Sequence, residues 1–124
     1  MKQHLLGNQL LEINFEDRIT LLSLVTGLTK EYIENEYKKG MKDEEGMLLS
    51  YGYSVKVGEL IEIVEDYTGQ FPIPEIKNDK YRVKICSENM NRKTINFDSD
   101  FQSSYCDALY EVVKYLLKEK FIFI

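Results

Sequence analysis

Apolar positions at Ile19, Leu22 and Leu24/Val25 recur at near-helical spacing through "FEDRITLLSLVT", residues 15–26. Glu16 and Asp17 fall in the first turn, where the helix dipole favours carboxylates. Gly27 follows as a residue free to take positive φ and close the helix. Thr29 can cap a second helix from about 30 to 39, with Leu28 and Ile33 placed as a hydrophobic staple and Gly40 as the stop. The spacing therefore predicts a tight helical corner at "TGLT".

After the polar run "MKDEEG" (41–46), the period changes to two across Leu49, Tyr51, Tyr53, Val55 and Val57. It then returns to helical spacing at Val57, Leu60, Ile61, Val64 and Tyr67. The pattern predicts a short extended segment near 47–53 and a helix from about 55 to 68, capped by Ser54 and ended by Gly69. Both prolines lie in "QFPIPEIKND" (70–79), which reads as a linker. A hairpin follows, with Tyr81, Val83 and Ile85 on one face and Arg82, Lys84 and Cys86 on the other. Its turn is "NMN", and Ile95 and Phe97 continue the apolar face on the second strand.

Two capping signals precede the last helix: Ser99 with Gln102 as a capping box, and Ser104 with Asp107 as a weaker form. That helix, to about Lys118, places Phe101, Tyr105, Leu109, Val112 and Leu116 on one side. The closing "FIFI" is a last strand or a buried tail; an internal third strand is the expectation, and an unpaired edge there would join two copies. The fold class is α+β: an N-terminal helical hairpin packed on an α-β-β-α unit with a two- or three-stranded antiparallel sheet. The chain reads as a single domain over 1–124, with a helical region over 1–68, a linker over 69–79, and a hairpin plus long helix over 80–124.

"LSLVTGLTKEYI" resembles the helix-turn-helix of small phage-type repressors. Ser23, Gly27 and Ile33 fill that pattern's small, turn-glycine and aliphatic places. The resemblance implies a DNA-reading second helix, but that helix sets Glu31, Glu34 and Glu36 against Lys30, Lys38 and Lys39. Carboxylates facing phosphates gain nothing from counterion release, and Asn35 alone suits a base edge. Residues 54–120, with "SSYCDALYEVVKYLLKE" after a hairpin, are similar to small phage and prophage α-β-β-α sandwich proteins. That likeness implies an accessory protein of a mobile element and no particular activity.

Charge sharpens the picture. The chain carries a net −5, and residues 41–70 hold all of it: Lys42 and Lys56 against Asp43, Glu44, Glu45, Glu59, Glu62, Glu65 and Asp66, two positive and seven negative. A surface of that sign repels polyanions and suits a protein partner. Glu59, Glu62, Glu65 and Asp66 on one helix, with Tyr51 and Tyr53 beside it, form the expected partner-binding surface. Lys80, Arg82, Lys84, Arg92 and Lys93 on the hairpin form a candidate anion site for a nucleotide, RNA or an acidic patch, without a glycine-rich phosphate loop.

Catalytic chemistry is poorly supplied. His4 is the single histidine, so zinc sets and Ser-His or Cys-His pairs lack material, and neither metal nor cofactor is expected. Cys86 and Cys106 read as buried free thiols of a reducing compartment. No apolar run approaches a membrane span and the N-terminus has no cleavage signature, so the expected location is the cytoplasm. These observations point to a non-catalytic accessory or inhibitor protein acting through an acidic surface. A helix-turn-helix DNA regulator is the first alternative and a small anionic-ligand binder the second.

Overall fold

A computed structural model describes residues 2–38, 55–88 and 92–122. The extended segment expected at 47–53, the Ser54 cap, Tyr51 and Tyr53, and the "NMN" turn at 89–91 lie outside the described residues. The chain divides into two compact units, one built on His4–Lys56 and the other on Met1–Gln3 with Val57–Phe123. Both strands and helices are present, and the sheet is antiparallel, so the α+β class holds.

The first unit opens with a 3-10 helix, Gly7–Glu12, which sequence pattern did not suggest. It buries Leu10, while Leu5 and Ile13 are buried on either side. Helix α1, Phe15–Thr26, starts where Asn14 Oδ1 accepts from the Asp17 N–H at 2.8 Å. It ends at Gly27, whose φ of 76° is the left-handed C-cap that the corner requires. Helix α2, Lys30–Lys38, begins with the Thr29 cap, its Oγ1 accepting from the Tyr32 N–H at 3.1 Å. Between them, the Ser23 hydroxyl donates to the Leu28 carbonyl at 2.7 Å, and the Thr26 hydroxyl accepts from the Leu28 N–H at 3.2 Å. Side chains thus satisfy the backbone groups that a tight corner leaves open. Ile19, Leu21, Leu22 and Ile33 form this unit's core.

The second unit has the order helix–strand–strand–strand–helix. Helix α3 is Val57–Thr68, β1 is Pro74–Lys77, β2 is Lys80–Glu88, β3 is Thr94–Asp98, and helix α4 is Tyr105–Lys118. The sheet order is β1-β2-β3. Helix α4 packs on β2, β3 and α3, and buries Cys106, Ala108, Leu109, Tyr110, Val112, Val113, Leu116 and Leu117. That band is wider than the single stripe expected from sequence. Val83, Ile85 and Ile95 fill the sheet's inner face, and the Phe97 ring stacks on Tyr115 with centroids 4.5 Å apart.

Four expectations are corrected here. The linker is partly a strand: Pro74–Lys77 pairs with β2 through a two-residue turn, Asn78-Asp79, both at positive φ. Both residue types tolerate the left-handed region such a turn demands. The third strand of the three-stranded sheet is therefore this one, whereas of "FIFI" only Phe121 and Ile122 are among the described residues and Phe123 and Ile124 lie outside them. Phe121 and Ile122 instead fold back on the end of α4, both N–H groups donating to the Leu116 carbonyl, and Ile122 is buried as a tail.

The Ser99/Gln102 capping box does not form. Ser99 Oγ accepts from the Val83 N–H at 2.9 Å, and Gln102 pairs its backbone with Tyr81. Residues 99–101 thus stand as a bulge opposite Arg82 and Val83, with Asp100 at φ 57°. The helix starts later, at the Ser104 cap, whose hydroxyl accepts from the Asp107 N–H at 3.0 Å. Cys106 is buried, but Cys86 is exposed on the sheet's outer face; both are free thiols.

One side chain extends the ladder. Above the point where Pro74 faces Val83, Gln70 Nε2 donates to the Lys84 carbonyl at 3.1 Å, and Gln70 Oε1 accepts from the Cys86 N–H at 2.9 Å. An amide side chain thereby takes the place of two strand residues along β2. Among the described residues no helix is long and apolar enough to cross a membrane.

Candidate functional site

Helix α3 is built from two opposed faces. Leu60, Ile63, Val64 and Thr68 are buried, which turns Glu62, Glu65 and Asp66 to solvent and leaves Glu59 half-buried. The spacing of three and four residues puts these acids along one side of the helix. No Lys or Arg occurs between Val57 and Thr68, and none of the four carboxylates has an ion pair among the described residues. Like charges at such spacings each cost about 0.2–0.5 kcal/mol. Glu59 in the first turn is favoured by the dipole, but Glu65 and Asp66 occupy the last turn, which holds no basic residue. Anions at that end are disfavoured by roughly 0.3–1 kcal/mol.

The acids act on two nearby tyrosines. Burial first, and then the Glu65 charge, raise the Tyr105 pKa above its ordinary value. Burial and then Asp66 do the same for Tyr67. The Tyr105 hydroxyl donates to the Pro72 carbonyl. Of the six residues expected at the partner surface, the four on α3 share one face, and Tyr51 and Tyr53 lie outside the described residues.

The basic hairpin is assembled differently. Lys80, Arg82 and Lys84 share the outer face of β2 with exposed Cys86 and Glu88. The strand register sets Glu75 across from Arg82 and Asp98 across from Lys84. Arg82 Nε and Nη2 both donate to Glu75 Oε2, at 3.1 and 2.7 Å, and its Nη1 lies 3.8 Å from Asp98 Oδ2. Its guanidinium also covers the Phe101 ring at 4.5 Å. The Glu75 hydrogen bond, ahead of its charge and those of Asp98 and Asp100, raises the Arg82 pKa against the effect of burial. Arg82 is thus a structural cation and has little left for a ligand.

The five basic residues do not converge. Lys80 starts β2 and Glu88 ends it, a run of about 26 Å at ~3.3 Å per residue. Glu88 pairs with Thr94, so Arg92 and Lys93 lie beyond that far end, away from Lys80. Lys93 already has a partner of its own. The outer face therefore presents Lys77, Lys80, Arg82 and Lys84 interleaved with Glu75, Glu88 and Asp98, a nearly balanced surface.

In the first unit, α1 and α2 enclose a shallow cleft of about 360 Å³ lined by Phe15, Glu16, Ile19, Lys30 and Glu34. The exposed side of α2 carries Glu31, Tyr32 and Asn35. Among the described residues no three His, Cys, Asp or Glu side chains are grouped to hold a metal ion. No family model, curated protein or solved structure matches this chain.

Proposed function

We propose that this is a non-catalytic binding protein, an accessory or inhibitor that engages a basic protein surface through the acidic face of α3. The observation carrying this reading is the cost the helix accepts. Glu65 and Asp66 sit against the dipole and beside like charges, with no cation among the described residues paired to them. Residues that break local stability rules without internal compensation mark surfaces shaped for something else. A lysine- or arginine-rich partner supplies the missing counter-charge and relieves the repulsion on binding.

The test compares wild type with a Glu59→Gln/Glu62→Gln/Glu65→Gln variant in capture from a lysate of the source cell, followed by affinity measurement across salt. The variant is expected to lose the captured protein, and its residual binding to depend less on salt. Equal capture by both proteins overturns the reading. Duplex DNA reading through residues 19–39 is the alternative, and a salt-dependent gel shift lost on Lys30→Glu would replace the proposal with it.

A further inference from the structure

We infer that β1 is a self-association edge, across which two copies of this chain pair antiparallel to make a six-stranded sheet. The inference stands apart from the acidic-face reading and uses a different surface.

Backbone direction identifies the open groups. Tyr81 exchanges both of its backbone hydrogen bonds with Gln102, and the Val83 carbonyl accepts from the Ser99 N–H. Those groups of β2 face away from β1. Antiparallel ladders alternate, so β1 is joined to β2 at the Glu75–Arg82 and Lys77–Lys80 pairs. The N–H and C=O of Ile76 and the C=O of Pro74 consequently point to the outer, unpaired side of the sheet. Pro74 has no N–H to offer.

Among the described residues of the second unit, the large exposed apolar side chains are Ile76 in β1 and Phe71 and Ile73 just before it. Ile73 is 73% exposed, Ile76 62% and Phe71 51%. An edge strand with an exposed Ile76 and open backbone groups is a template for another strand unless something blocks it.

Proline at 74 acts here as a filter on register. Pairing 74 with 74, or 74 with 76, forfeits a ladder bond at its centre. Pairing Ile76 with Ile76 of a second copy forms two reciprocal N–H to C=O bonds about a two-fold axis. In that register Glu75 of each chain stands opposite Lys77 of the other. Both residues are exposed. Arg82 uses only Oε2 of Glu75, leaving Oε1 for a second cation, and Lys77 has no ion pair among the described residues. The charges are self-complementary only when a second copy, antiparallel and centred on Ile76, supplies the partner strand. The two Ile76 side chains then lie side by side on one face.

A single short strand per chain buries little area, so the dimer belongs to the weak, concentration-dependent class. Sedimentation velocity of the full chain from micromolar to millimolar concentration should show a monomer–dimer equilibrium. Amide exchange at Ile76 should slow as concentration rises. Lys77→Glu sets like charges opposite each other twice per dimer and should weaken association about tenfold. Ile76→Lys should abolish it. A monomer throughout the concentration range overturns the inference. So does a dimer indifferent to Lys77→Glu and Ile76→Lys, which would place the contact elsewhere. The Ile76 exchange rate is read on the wild-type chain, so it decides the matter even if a variant folds poorly.

Discussion

Helix α3 and the outer face of the sheet both display rows of charge, but among the described residues only the sheet pairs its charges internally. On the sheet, each strand brings residues from a different stretch of the sequence into register, so Arg82 meets Glu75 and approaches Asp98, while Lys84 stands across from Asp98. On the helix, neighbours three and four apart come from one local stretch that contains no cation. Among the described residues the acids of α3 therefore find no counter-charge, while Arg82 of β2 becomes an element of the fold. A charge run in sequence thus marks an available surface only where the tertiary structure brings no opposite charge to it.

The contrast makes quantitative demands. Its largest consequence lies where Arg82 crosses the bulge. Replacing Ser99 by Ala leaves the buried Val83 N–H without its acceptor and should cost about 1–3 kcal/mol in urea unfolding. If the loss is negligible, the bulge is not what holds β3 to β2 at that point. Arg82→Ala removes the forked contact to Glu75 and the cover over Phe101, and a loss of stability smaller than that of Ser99→Ala, and smaller still in high salt, is expected. By contrast, Glu62→Gln or Asp66→Gln on α3 should change stability by less than about 0.5 kcal/mol, and in the stabilising direction, because repulsion is relieved. A clear destabilisation by either would show a hidden partner and erase the distinction between the two faces.

The high-pH limb offers a further check. Burial first, opposed by Lys2 and aided by Asp107, pushes the Cys106 thiol up to about 11 from 9.0. A group whose folded pKa is raised contributes stability that is fully present below its unfolded pKa and is lost as pH rises through the folded value. Stability should therefore be level below about pH 9 and decline between 9 and 11. Tyr105 and Tyr67, raised in the same direction, extend the decline above pH 10, their ordinary value. Cys106→Ala should flatten the lower end of that slope. Glu65→Gln should move the Tyr105 titration towards 10 without reaching it, since burial is the larger cause. The smallest-scale test is chemical: one thiol, Cys86, should react with a disulfide reagent in the native protein, and the second only on unfolding.

Local chemistry makes much of this fold readable in the sequence. Gly27 and Thr29 specify the α1–α2 corner by a left-handed φ and a hydroxyl acceptor, both confined to adjacent residues. The alternation of Val83 and Ile85 with Arg82 and Lys84 is equally local. It also implied that Cys86 points outward with Arg82 and Lys84, an inference overridden by the usual burial of free cysteine. Strand β1 was hidden because two prolines speak against a ladder. They are tolerated here because β1 is an edge, where Pro74 needs no N–H on its open side. The Ser99 box failed for a non-local reason: its hydroxyl serves a strand sixteen residues earlier in the chain, at Val83. Of the candidate surface, the acidic side of α3 was legible from spacing alone. The neutralisation of Arg82 was not, because Glu75 and Asp98 reach it only through pairing.

Gln70 carries a lesson about what counts as main chain. Its amide completes the β2 edge by giving one hydrogen and taking one, a role that depends on having both a donor and an acceptor at the tip. Glutamate, its nearest relative in size, could still receive from Cys86 but would set a negative oxygen against the Lys84 carbonyl. A position that hydropathy scores as an unremarkable spacer is therefore one where a single-atom exchange shortens the sheet.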